Sequence, residues 1–129
     1  MIYEDDLSIR DHIRLFRRIH PDWIVWDENL NCYRPSSQAF NDSKDGSPMS
    51  VHREDILEGE NREPGIVLAG FNDWALAALS AGTLRQNKQG IASDPLPDDR
   101  SHALVFGPKP PKVRKRIAKA SEWAIRPDK

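Results

Sequence analysis

The chain has almost no cysteine: Cys32 stands alone among 129 residues. No disulfide can form within it, which fits a reducing compartment. Cys32 itself is expected to sit partly buried and to pack as a small hydrophobe. Long apolar runs are missing too, and nothing approaches the ~20 residues that span a bilayer. The first residues are acidic and lack the apolar run of a secretory leader. A cytoplasmic protein without membrane association is therefore expected.

Several catalytic signatures are absent as well. There is no GxxxxGK phosphate loop and no GxSxG elbow. His12, His20, His52, His102 and Cys32 fall at no zinc spacing, so neither a metal site nor a cofactor is expected. Phosphoesterases with two His-x-Ser/Thr motifs form a further excluded pattern. Here His52 is followed by Arg53-Glu54 and His102 by Ala103-Leu104.

What remains is a moderately polar chain, 38% hydrophobic and 30% charged, with four Trp and four Phe. At this length a single domain can bury about two thirds of its unfolded surface. The net charge of −1 hides an asymmetry. Residues 107–129 carry eight Lys/Arg and two Asp/Glu, a tail of +6 on a body of −7. The two regions can attract each other, or the tail can face an anionic partner.

Ile9, Ile13, Phe16 and Ile19 recur at helical spacing after Asp5-Asp6, which predicts a helix over 6–19 ended by His20-Pro21. Residues 23–26 and 30–34 read as a hairpin turning at Asp27-Glu28-Asn29. Residues 41–48 are turn chemistry, and 49–52 resume a strand. Ile56 and Leu57 can anchor a short helical turn within a charged, mobile segment. Residues 74–79 read as a strand, and Ser80 as the cap of a helix over 81–87, with a single helix over 73–87 as the competing reading. Strands are expected at 90–92 and 102–106, joined by the loop DPLPDD. The proline-rich stretch 107–111 leads stiffly into a basic helix over 112–124. The expected fold is α+β: one domain over 1–129, with a short, mostly antiparallel sheet packed against N- and C-terminal helices. Its expected core includes Ile9, Ile13, Phe16, Trp23, Val25, Phe40, Leu76, Leu104, Phe106, Ile117 and Trp123.

The candidate site residues fall into three groups. The run RPSSQAF places Arg34, whose five-donor fork suits phosphate or carboxylate, beside Ser36 and Ser37. Pro35 stiffens the run, Ser37 can cap a turn, and Phe40 can anchor it. Backbone N–H groups of that turn would complete an anion site, to which Ser50 can add a hydroxyl. The bland alternative is that Arg34 pairs with a nearby acid. His52 and His102, at strand ends, are candidate acid and base, although a strand-end histidine can equally just bond a loop. Lys112, Lys115, Arg116 and Lys119 line one face of the last helix and could meet nucleic acid, with Trp123 stacking on a base. A charged outer face is also ordinary for a surface helix.

The RPSSQAF, MSVH and HALVFG blocks together resemble a group of uncharacterised short stand-alone bacterial proteins. The resemblance spans nearly the whole chain and brings no activity, cofactor or catalytic residue with it. Two functions are expected from the residues. The first is a small binding or accessory protein acting through charged surfaces on a protein partner or a regulatory anion. The second is a small enzyme acting on a phosphate- or nucleotide-bearing substrate through Arg34, Ser36 or Ser37, His52 and His102.

Overall fold

The computed structural model describes residues 2–127. Eight strands and three helices form one α+β domain. Six strands make an antiparallel sheet in the order β6-β7-β4-β1-β5-β8. They are β1 Arg14–Ile19, β4 Met49–Arg53, β5 Ala75–Ser80, β6 Gly90–Ser93, β7 His102–Phe106 and β8 Glu122–Ile125. Strands β2 Ile24–Asp27 and β3 Cys32–Pro35 form a separate two-stranded ribbon. The helices are α1 Glu54–Gly59, α2 Ala81–Gln86 and α3 Pro111–Ala120.

The helix expected over 6–19 is replaced by turns and then by β1. Along β1 the side chains alternate. Leu15 and Ile19 enter one apolar cluster and Phe16 the other. Both faces of the strand are buried, so its apolar residues match a helical period only by coincidence. Arg17 and Arg18, adjacent on the strand, point to opposite faces. The acids thought to begin a helix serve elsewhere. Asp5 accepts from the Ile91 N–H at 3.0 Å and from Arg85 at 3.0 Å. Asp6 accepts from the backbone and hydroxyl of Ser8, which holds its carboxyl below the usual range.

The larger core lies on the sheet face carrying Leu15, Met49, Val51, Ala77 and Val105, under Phe40, Leu84 and Ile117. The smaller core joins Phe16, Leu76 and Ala78 of the other face to Leu57 of α1 and to Val67. On β7 the fully buried positions are Ala103 and Val105. Leu104 and Phe106, expected in the core, are half-buried on the opposite face, one residue out of phase. Phe106 nevertheless has a structural partner. Its ring covers Gly90, where an added Cβ would come within 2.2 Å of it. Val25 is likewise half-buried.

The strand and helix expected from 74 onward appear as β5 and α2, and the Ser80 hydroxyl accepts from the Thr83 N–H at 3.1 Å. The last helix stops four residues short of its expected end. Ser121 closes it by donating its N–H to Ile117 and its hydroxyl to Ala118. Trp123 and Ile125 then pair with β5 as a sixth sheet strand, suited to β-branched and aromatic residues. Cys32 is exposed, contrary to expectation. No described helix is long and apolar enough to cross a membrane.

Candidate functional site

Strand β4 buries Met49 and Val51 and turns Ser50 and His52 to the other face of the sheet. Strand β7 pairs with it so that Ser50 stands opposite Leu104 and His52 opposite His102. Directly opposed residues share a face, so two histidines and a serine meet there. The two imidazole rings lie edge to face, 5.9 Å apart.

Each ring is held by an aspartate of the loop between β6 and β7, His52 by a carboxylate and His102 by a backbone carbonyl. His52 Nδ1 lies 2.7 Å from Asp99 Oδ2. The other oxygen of Asp99 accepts from the Ser101 N–H at 3.0 Å and the Ser101 hydroxyl at 2.5 Å. Burial alone would raise the Asp99 carboxyl, but the Ser101 hydrogen bonds hold it below the usual range. His52 is 2% exposed. Burial first, then the charge of Arg18, push its pKa down to about 4, and Asp99 offsets them only in part. At neutral pH His52 is therefore a neutral imidazole. Its Nδ1–H donates to Asp99, and its Nε2 carries a lone pair.

The second ring is wired differently. His102 Nδ1 lies 3.0 Å from the Asp94 backbone carbonyl and 3.0 Å from Asp94 Oδ2. With that nitrogen donating, Nε2 is the acceptor, and the Ser50 hydroxyl lies 3.0 Å from it. Ser50, His102 and the Asp94 carbonyl thus form a hydroxyl–imidazole–carbonyl chain, with the Asp94 carboxylate 3.0 Å from the same ring nitrogen. Ser50 and His102 are both partly buried, with 13% of the His102 side chain exposed.

The backbone around Ser50 is fixed by an unusual clamp. The β1–β4 ladder runs only through Leu15–Arg53 and Phe16–His52. Where it opens, the Arg17 guanidinium inserts, donating to the Ser50 carbonyl at 3.0 Å and the Ala39 carbonyl at 2.9 Å. Burial, together with the Arg18 charge, lowers the Arg17 pKa to about 10, which leaves it cationic at neutral pH.

The RPSSQAF residues lie apart from this cluster. Arg34 Nε bonds Asp27 Oδ2 at 2.9 Å across the ribbon, and Nη1 donates to the Pro35 carbonyl at 3.2 Å. The Ser36 N–H donates to Trp23 at 2.7 Å, while its hydroxyl is buried without a partner. Ser36, not Ser37, takes the cap position of the 3-10 turn Ser37–Phe40, and it makes no side-chain capping bond. Phe40 is fully buried and anchors the turn as expected. Among the described residues no hydrogen bond joins Arg34, Ser36 or Ser37 to either histidine.

Lys112, Lys115, Arg116 and Lys119 are exposed along α3, above the buried Ile117 and Ala118. Trp123 is not free to stack on a base, because its indole N–H donates to the Tyr33 carbonyl at 2.9 Å and its ring packs on the core. An open groove of about 800 Å³ between α1 and residues 93–100 is lined by Arg53, Asp55, Leu96 and Arg100, and neither histidine lines it. Among the described residues no group of three or more His, Cys, Asp or Glu side chains could hold a metal ion.

Sequence reasoning reached Ser50, His52 and His102 but missed Asp94, Asp99, Ser101 and Arg18. Its one usable signal for the carboxylates was the pair of prolines, Pro95 and Pro97, that stiffens the loop bearing them. Compared with known protein families, curated proteins and solved structures, the chain matches none.

Proposed function

We propose that this chain is a small hydrolase or transferase that acts through Ser50. The observation that carries this reading is the Ser50 hydroxyl 3.0 Å from His102 Nε2, on a ring whose other nitrogen lies 3.0 Å from Asp94. A serine hydroxyl is a weak nucleophile at its own pKa, and an adjacent oriented base is what activates it. In the reaction Ser50 Oγ attacks the carbonyl carbon or phosphorus of an ester, and its proton passes to His102 Nε2. The bond to the leaving alkoxide breaks as that alkoxide takes the proton from His102. Water then attacks the serine ester, again giving a proton to His102. Ser50 is released with that proton, and the net change is addition of one water. Asp94 fixes the tautomer of His102 and stabilises its cation. His52, kept neutral and oriented by Asp99, supplies a second acceptor beside the reacting groups.

The test is turnover of activated esters, p-nitrophenyl acetate and p-nitrophenyl phosphate, by purified protein. Activity should vanish in Ser50→Ala and survive in Ser36→Ala and Ser37→Ala. No turnover of either ester by folded wild type, or turnover that survives Ser50→Ala, contradicts the reading.

The binding reading keeps one supporting observation. The exposed cations Lys112, Lys115, Arg116 and Lys119 of α3 have no ion-pair partner among the described residues. A salt-dependent gel shift with duplex and single-stranded DNA tests whether that face meets nucleic acid. Loss of any shift at low salt would remove that support.

A further inference from the structure

Five of the twelve arginines form ion pairs within the described residues. Arg14, Arg34, Arg53, Arg62 and Arg85 each reach an Asp or Glu. Arg18 does not, although the chain holds 20 acidic residues. Among the described residues no carboxylate lies within ion-pair distance of it. Its Nε donates to the Val67 carbonyl at 2.6 Å. Its guanidinium carbon sits 4.0 Å from the centroid of the Phe71 ring. Those two contacts hold the plane of the fork, while the terminal nitrogens make no hydrogen bond among the described residues. The buried side-chain atoms lacking partners are Ser36 Oγ and Gln89 Oε1, so the terminal nitrogens of Arg18 keep access to solvent.

The strand register puts this fork at the reactive face. Phe16 stands opposite His52. Arg18 follows Phe16 by two residues on β1 and so lies on the same sheet face as Phe16 and as His52 opposite it. Arg18 is close enough for its charge to lower the basicity of His52. A half-buried cation, stacked and oriented, with the charge of Asp99 near it but no direct ion pair, keeps its fork open to a further anion.

We infer that Arg18 binds an oxyanion of the substrate, a phosphate or a carboxylate, through its two terminal nitrogens, on the sheet face that carries His52 and Ser50. This rests on the reading of Ser50 as the reacting group and adds the substrate class: an anionic ester. A planar fork accepts either oxyanion in two parallel hydrogen bonds.

Calorimetric titration with inorganic phosphate and with benzoate, using wild type, Arg18→Gln, Arg18→Lys and Ser50→Ala, tests it. Circular dichroism checks that each variant is folded. Wild type and Ser50→Ala should bind at least one of the two anions with equal affinity. Arg18→Gln should lose at least about tenfold, and Arg18→Lys should recover part of that loss. Should Arg18→Gln fail to fold, the guanidinium resonances of 15N-arginine-labelled wild type give the readout, with the anion-induced shift expected at Arg18 and not at Arg17. No binding of either anion, or equal binding by Arg18→Gln, overturns the inference. Esterase activity separates the two claims. Turnover through Ser50 without anion binding removes the anion site alone. Anion binding through Arg18 in a protein that turns over nothing removes the enzymatic reading and leaves a binding site.

Discussion

Two regions of the molecule each offer an arginine close to serine hydroxyls, and they differ in what else is there. At the ribbon, Arg34 is paired with Asp27, and the Ser36 hydroxyl is buried away from any partner. In the β4–β7 half of the sheet, Ser50 meets an imidazole, that imidazole bonds the Asp94 carbonyl with the Asp94 carboxylate 3.0 Å away, and Arg18 makes no direct ion pair among the described residues. Residue type alone does not distinguish the regions; the pairing of the arginine and an imidazole beside the serine do. A cation that has found its anion within the fold has spent its capacity to bind another.

The largest effect expected from that comparison is on activity. Ser50→Ala should cut ester turnover by at least about a thousandfold, as loss of a nucleophile does, while the folded protein keeps its melting temperature. Ser36→Ala should leave turnover unchanged and cost no stability, since the hydroxyl it removes is buried and unpartnered. Equal losses from the two serine variants would erase the distinction between the regions.

Stability should show the reverse. Phe40 of RPSSQAF is fully buried, so Phe40→Ala should cost about 3–5 kcal/mol in urea denaturation. A change under about 1 kcal/mol would remove the structural role assigned to that run.

The pH dependence of stability sharpens the sheet side. The folded pKa of His52 is about 4, against about 6.5 in the unfolded chain. Above pH 6.5 both states hold His52 neutral, and it contributes no slope. Between about 6.5 and 4 the unfolded chain takes up a proton that the folded one refuses, so stability falls as the pH falls. The total is on the order of 3 kcal/mol. His52→Gln should flatten urea midpoints across that window. Asp99, with its carboxyl lowered, adds loss in the same direction at more acidic pH. A wild-type profile flat from pH 7 to 4.5 would contradict the neutral buried imidazole.

The smallest effect belongs to Arg34→Ala. Its side chain is 43% exposed, so loss of the Asp27 pair should shift the melting temperature little and turnover not at all. A large loss of turnover with the fold intact would return the ribbon to the site.

Part of this was legible in the residues. The alternation of Met49-Ser50-Val51-His52 put Ser50 and His52 on one face, and Ser80 announced the start of α2. Register was not legible, because nothing local states that His52 stands opposite His102. On β7 the choice of Leu104 and Phe106 over Ala103 and Val105 went to the bulkier residues, whereas the strand buries the smaller pair beneath α2 and α3. The spacing of Ile9, Ile13 and Phe16 suited a helix, and only the burial of both faces of β1 shows why a strand prevails. Asp94 and Asp99 sat in an ordinary-looking loop. They became partners of histidines only because that loop closes back over the β4–β7 pair.

The most direct measurement is covalent labelling with a fluorophosphonate, which reacts with an activated serine by losing fluoride, read by intact mass and peptide mapping. The account predicts one adduct, on Ser50, formed at least about a hundredfold more slowly in a folded His102→Ala variant. A folded wild type that takes no label, or a label on Ser50 that forms equally fast without His102, would contradict it.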